Sequence, residues 1–374
     1  MAYRKPALLL LPRGMMDWEM REAYALLETA GYRVVDTVWY RRISRSRLLS
    51  NAKLEELASK AEPLRGNEDA RIIVFDELRP REYFRIVREA RVETIDRTLL
   101  ILEIFALHAG SKEAKYQIEL ARLRHQLPLI REAVRLAKMR ELPGFLGPGG
   151  YAIDKYYKYM VSRIARIRRE LEKLRRRRER ERAKRRSAGL PHVAIVGYAS
   201  AGKTSIFNML TGLGKPVGPE YFTTISPKVR AVSLVGVRAA LVDTVGFISR
   251  IPPEIIEAFH STLEEAATAD ALLYVLDISE PDHVVAEKLS EGLDTLRRIG
   301  VVGKPMVIAA NKVDLVDEAE AERLRRLVEA MAESVYPSLQ GVIPVSARLG
   351  TGLGMLACRI ATLLKGTAES TCSA

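Results

Sequence analysis

Cysteine is almost absent: Cys358 and Cys372 are the only two in 374 residues, and Cys372 stands in a short polar tail. That excludes a disulfide framework and fits a reducing compartment. Long apolar runs are missing as well. The longest, such as Ala7 to Leu11 and Ala271 to Leu276, fall far below the ~20 residues of a spanning helix. Leu8 to Leu11 is too short for the apolar core of a secretory signal and runs into Pro12 and Arg13. The five histidines, His108, His125, His192, His260 and His283, show no metal-ligand spacing. Together these absences predict a soluble, cytoplasmic protein with no membrane insertion. The length exceeds the ~100–200 residues usual for one domain, so more than one core is expected.

Acid is what one segment lacks. The chain carries 60 Lys and Arg against 47 Asp and Glu, a formal charge of +13. Residues 155–186 hold 16 basic and four acidic side chains, +12 of that excess, while residues 1–154 carry +5 and residues 187–374 carry −4. The segment also lacks Gly and Pro, and Ile164, Ile167, Leu171 and Leu174 recur at spacings of three and four. That is the seam of an amphipathic helix. From Tyr151 to Ser187 it would be about 55 Å long. The stretch from Asp96 to Glu141 has the same periodicity, with Pro128 as a candidate kink. Between the two stands Leu142-Pro143-Gly144-Phe145-Leu146-Gly147-Pro148-Gly149-Gly150, a chain-reversing loop. An antiparallel helical hairpin, a short coiled coil, is expected over residues 96–187 with its tip at 142–150. Four acids cannot neutralise 16 bases, which favours an RNA face over a solvated one.

Upstream, Ala7–Leu11, Arg33–Val38, Arg71–Phe75 and Val92–Ile95 read as strands. Helical stretches lie near Asp17–Ala30, Arg47–Ala61 and Pro80–Ala90. The alternation predicts a small parallel α/β domain over residues 1–95. It carries no nucleotide fingerprint.

Residues 188–366 do. The apolar strand Pro191 to Val196 runs into Gly197-Tyr198-Ala199-Ser200-Ala201-Gly202-Lys203-Thr204, and a helix follows from Ser205 to Leu210. Strand, glycine-rich loop and helix in that order make a phosphate cradle: backbone N–H groups point inward and the helix start favours negative charge. Lys203 would reach the β- and γ-phosphates, and Thr204 would ligate magnesium. Further on, Leu241-Val242-Asp243-Thr244-Val245-Gly246 ends a strand with an Asp for magnesium and a Gly whose N–H can meet the γ-phosphate. Asn311-Lys312-Val313-Asp314 ends the strand Met306 to Ala310. A carboxylate there accepts from guanine's Watson–Crick edge, whereas adenine presents a ring acceptor. Ser346-Ala347-Arg348, after the strand Val342 to Val345, can set a backbone N–H near guanine's carbonyl. Singly, Asp243 could be a strand-end turn and Asn311 a helix cap. Four such elements in order, each at a strand end, leave that reading little room.

Between Thr204 and Asp243 lies Gly218-Pro219-Glu220-Tyr221-Phe222-Thr223-Thr224-Ile225-Ser226-Pro227. A Thr there can bind magnesium and the γ-phosphate only while GTP is intact. Thr224 is assigned that role, and Phe222 and Thr223 are placed beside the nucleotide. Phe247 stands where many signalling GTPases carry the Gln that orients water, so slow intrinsic turnover is expected.

These residues resemble the HflX family, ribosome-associated GTPases of the translation-factor-related P-loop class. The resemblance is carried by Asp243-Thr244-Val245-Gly246-Phe247-Ile248, by Phe222-Thr223-Thr224-Ile225-Ser226-Pro227 and by Asp96 to Ala106, continuing through Glu113-Ala114-Lys115 and Gln117 to Ala121. It implies an N-terminal α/β domain, a helical hairpin, and a C-terminal P-loop GTPase domain with a mostly parallel sheet. It also implies binding to the large ribosomal subunit and its rRNA, the hairpin loop approaching the peptidyl transferase centre. Subunit splitting is proposed for bacterial relatives. No DNA partner is expected, and a monomer is. Two departures matter. The family's tip commonly reads Arg-Gly-Pro-Gly-Glu, and Leu146 to Gly150 has neither charged residue. Potassium activation stays open, since Ser200 stands where relatives using that ion carry Asn. The chain ends soon after a helix expected at Leu353 to Lys365, with 367–374 read as a flexible tail.

Overall fold

The computed structural model describes all residues except 1–3, 45–46, 140–149, 188, 214–221, 223–226, 259 and 366–374. The hairpin tip, Thr223, Thr224 and the C-terminal tail therefore lie outside the described residues. The chain forms two compact units. One comprises Met1–Leu107, Lys115–Lys173 and Pro252–Ala258; the other comprises His108–Ala114, Leu174–Ile251 and Phe259–Ala374.

The first unit opens with the expected alternation: β1 (Lys5–Pro12), α1 (Asp17–Thr29), β2 (Tyr32–Tyr40), α2 (Asn51–Ala61), β3 (Arg71–Val74), α3 (Pro80–Ala90) and β4 (Thr94–Asp96). The strands pair in parallel in the order β2-β1-β3-β4. β1 is central, and its run Ala7 to Leu11 is wholly buried, as a parallel strand covered on both faces requires. Ser50 caps α2 by accepting from the Lys53 N–H at 3.1 Å. Asp96, the last residue of β4, accepts from the Leu99 N–H at 2.9 Å and so starts α4 (Arg97–His108).

The helical stretch expected from Asp96 to Glu141 is not one helix. It breaks after His108, and α5 (Lys112–Lys138) starts afresh with the Ser111 hydroxyl accepting from the Ala114 N–H at 3.1 Å. Gly110 and Ser111 carry the signal for this break. Pro128 lies inside α5 without ending it. α6 (Gly150–Ser187) runs antiparallel to α5 and seats Met160, Ile164 and Ile167 against Leu120 and Leu123. Arg163 clamps Glu119 with two bonds, at 2.6 and 2.8 Å, the fork geometry that suits Arg.

The second unit holds β5 (His192–Gly197), α7 (Lys203–Thr211), β6 (Lys228–Leu234) and β7 (Val237–Asp243). After α8 (Pro253–Ala258), which groups with the first unit, come α9 (His260–Thr268), β8 (Ala271–Asp277), α10 (Asp282–Arg298), β9 (Met306–Asn311), α11 (Glu318–Val335), β10 (Leu339–Val345) and α12 (Leu353–Lys365). The sheet order is β10-β9-β8-β5-β7-β6, parallel except for the edge hairpin β6–β7. Strand order reverses at β5, and in such sheets ligands bind beyond the carboxyl ends at that point. Among the described residues no helix is long and apolar enough to cross a membrane.

Candidate nucleotide-binding site

The loop from Gly197 to Lys203 is closed by backbone that tolerates few side chains. Gly197 has φ 137°, and a Cβ there would collide with the Val275 carbonyl of β8. Gly202 has φ 98°, and a Cβ would strike the Asn311 side chain. Both lie in the region that L side chains rarely adopt. Ser200 enters it too, at φ 61°. Lys203 begins α7 and is 6% exposed; its Nζ donates to the Tyr198 carbonyl at 2.6 Å. Burial pushes its pKa down to about 8, opposed by the negative charge of Asp243.

Thr204 and Asp243 meet at the mouth of this loop. The Thr204 hydroxyl donates to Asp243 Oδ2 at 2.9 Å, and Asp243 is fully buried at the end of β7. A hydroxyl and a carboxylate are the hard oxygen donors magnesium prefers, so the pair fits the cation. Beyond Asp243 the chain lies along the loop. The Phe247 N–H donates to the Gly197 carbonyl at 2.9 Å, and the Ala199 N–H donates to the Phe247 carbonyl at 2.7 Å. This is a parallel bridge between Tyr198 and Phe247. Gly246 sits so close that a Cβ would lie 2.7 Å from Ala199 Cα and 2.8 Å from Lys203 Nζ. The Thr244 hydroxyl turns inward and donates to the Ile195 carbonyl at 2.7 Å. Val245 and Phe247 are buried.

The residues expected to read the base gather at the ends of β9 and β10. Asn311 ties two loops: its Nδ2 donates to the Ala201 carbonyl at 2.8 Å, and its Oδ1 accepts from the Ala347 N–H at 3.0 Å. Lys312, at φ 69°, pairs with Asp277 at 2.5 Å. Asp314 Oδ1 accepts from the Ser346 hydroxyl at 2.6 Å, and the Ser346 hydroxyl oxygen in turn accepts from the Leu349 N–H at 3.1 Å. Ser346 is wholly buried, Ala347 is buried and Arg348 is exposed. Ser205, the third residue of the set at the start of α7, is half-buried. Phe222 is buried in a left-handed conformation at φ 62°.

Sequence reasoning passed over one anchor. The Tyr198 hydroxyl donates to Glu291 of α10, and Lys288, one turn earlier, stands 5.5 Å from the Tyr198 ring centroid. Lys288 also pairs with Glu280 at 2.6 Å. No local signal marks Glu291, since its partner lies 93 residues away.

Comparison with known proteins agrees with this geometry. The sequence model of the family described as "GTP-binding GTPase N-terminal" matches residues 17–106. That described as "GTP-binding GTPase Middle Region" matches residues 108–185, and "50S ribosome-binding GTPase" matches residues 192–312. A GTPase HflX from Hyperthermus butylicus is 72% identical over 368 residues, 98% of each chain. Another, from Saccharolobus solfataricus, is 40% identical over 341 residues, 91% of this chain and 94% of that one. Among solved structures, SsGBP in complex with GDP is 34% identical and covers 97% of this chain and 99% of its own, with a TM-score of 0.56. A GTP-binding protein from the archaeon Sulfolobus solfataricus, also with GDP, is 34% identical, covers 97% and 100%, and has a TM-score of 0.53.

Proposed function

The chain belongs to the HflX GTPase family, and on that premise we propose that it hydrolyses GTP slowly alone and faster on the large ribosomal subunit. One observation carries the site assignment: buried Lys203 and the Thr204–Asp243 pair stand together at the carboxyl ends of β5 and β7. When GTP arrives, Lys203 exchanges the Tyr198 carbonyl for β- and γ-phosphate oxygens. The N–H groups of Tyr198 to Ser205 line the phosphates, and the Gly246 N–H meets the γ-phosphate. Thr204, Asp243 and Thr224 would hold magnesium, which would supply positive charge against the negative charge that develops on the phosphates. Asp314 accepts from the guanine edge, with Asn311, Lys312 and the Ser346-Ala347-Arg348 loop framing the base. Phe247 has no group to orient water, which makes unstimulated turnover slow.

The decisive measurement is steady-state GTP hydrolysis with and without purified subunits. Acceleration by the large subunit is expected, and no response to any subunit would sink this reading. Running it in potassium and then in sodium also decides whether Ser200 supports potassium activation. A cytoplasmic, monomeric protein that assists in splitting or rescuing ribosomes belongs to the same proposal.

The exposed charge of α6 favours a second reading, a GTP-switched RNA-binding or assembly factor in which hydrolysis only permits release. Light scattering of intact ribosomes with a non-hydrolysable GTP analogue separates the two. Splitting into subunits supports the first, whereas stable binding without splitting supports the second.

A further inference from the structure

The side of α6 facing away from α5 is not a random scatter of charge. Lys155, Tyr159, Ser162, Arg166, Arg169 and Lys173 recur every three or four residues, and all six are exposed. That spacing places them on one line along the helix. Tyr159 is 58% exposed and Tyr156 46%, and their rings stack with centroids 6.2 Å apart and planes 23° from parallel. Tyr157, by contrast, turns to the other side, where its hydroxyl accepts from Arg131 of α5 at 3.4 Å. A merely solvated helix face has no use for an exposed, stacked aromatic pair.

The acids of the segment cancel little of this line. Glu170 pairs with Lys173 at its far end, Glu179 and Glu181 are taken by Arg175 and Arg177 beyond it, and Arg166 and Arg169 stay at the surface. From Tyr156 to Lys173 the line is about 26 Å long.

Resting on the ribosome-binding reading above, we propose that this face of α6 binds unpaired RNA. A base stacks on the Tyr156–Tyr159 pair, and the backbone that follows lies along Arg166, Arg169 and Lys173. Aromatic rings beside a cationic track are the means by which proteins hold single strands. A perfect A-form duplex keeps its base faces stacked inside and offers the rings nothing. An anionic membrane fits less well. Adsorption needs an apolar face to enter the lipid, and the apolar face of α6, Met160, Ile164 and Ile167, is consumed against α5.

The test uses the full chain, a labelled single-stranded RNA of about twelve nucleotides, and the same sequence as a duplex. Affinities are measured over a salt series. The wild type is expected to bind the single strand more tightly than the duplex. Tyr156→Ala with Tyr159→Ala should weaken the single strand about tenfold or more and leave the duplex unchanged; the matching Phe pair should bind as wild type. Arg166→Gln with Arg169→Gln should weaken both RNAs and flatten the salt dependence by about two phosphate contacts. Single-strand affinity within twofold of wild type in the Ala pair overturns the proposal. So does equal wild-type affinity for duplex, or binding to phosphatidylserine vesicles without binding to RNA. Sedimentation of wild type with large subunits is run alongside. Subunit binding with an unaffected Ala pair refutes the stacking face alone, and loss of subunit binding by wild type refutes the parent reading.

Discussion

The guanidinium of Arg178 on α6 donates to Glu264 of α9 at 2.9 Å. The same group meets Glu113, at the start of α5, at 2.8 Å. All three side chains are largely shielded, with 17–18% of their surface exposed. One cation thus holds two carboxylates from separate helices, and α9 lies on the stretch of chain that follows Gly246.

Removing that cation leaves two carboxylates turned toward an empty position. Arg178→Ala is expected to destabilise the second unit by about 2 kcal/mol, below the full cost of a broken buried pair because some solvent reaches it. Arg178→Lys should recover only part, since a point charge cannot fork between two acids. Urea denaturation followed by circular dichroism measures both, and an unchanged midpoint for Arg178→Ala would contradict the role.

Asp314 should decide the base. Asp314→Asn replaces an acceptor with a group that also donates, so GTP affinity should fall by at least about a hundredfold. Xanthosine triphosphate, with an oxygen where guanine has its amino group, should gain. Competition binding against the two nucleotides reads the change, and retained guanine preference would place the reader elsewhere. Lys203→Ala, by contrast, should weaken every triphosphate alike.

Gly246→Ala tests the close approach of the strand-end segment to the phosphate loop. Its Cβ would meet the Ala199 backbone 2.7 Å away, which cannot yield as a flexible side chain would. The segment must lift, and GTP hydrolysis should fall at least about tenfold while the far-ultraviolet spectrum is unchanged. Wild-type turnover would show that the close approach is not used.

A pH effect is expected in the first unit. Burial works against charge on His125, but the hydrogen bond to Asp96, at 2.6 Å, and the charges of Asp96, Glu254 and Glu77 outweigh it and raise its pKa. Stability from this pair is therefore complete below the ordinary imidazole value of 6.5. It is lost as pH rises through the raised value. Denaturation midpoints should decline over that range and flatten in His125→Gln. The same slope in the variant would assign the effect to another group.

Much of the site could be read in the chain because each part is local. Gly197 to Thr204, Asp243 to Gly246, Asn311 to Asp314 and Ser346 to Arg348 each end a strand, and strand ends show in a run of apolar residues meeting turn residues. What escaped was pairwise and distant. Tyr198 with Glu291 has no trace in spacing. The basic run Arg175 to Arg178 reads as one RNA-facing patch by composition, yet Arg178 lies four residues beyond Leu174 and so continues the apolar seam of Ile167, Leu171 and Leu174. Helical phase identifies the tethered arginine where charge counting cannot. The break between α4 and α5 escaped for another reason: a strong apolar period ran across Gly110 and Ser111 and masked a cap.

The parallel bridge between Tyr198 and Phe247 has a consequence in time. Two of its amides, Ala199 and Phe247, are held by backbone carbonyls and cannot surrender their hydrogens to solvent until the segment lifts. Deuterium uptake at these two positions then reports how often the phosphate loop and the strand-end glycine part company. A ligand that draws Gly246 inward should slow that uptake, so the opening rate of one bridge becomes a direct reading of which nucleotide the protein holds.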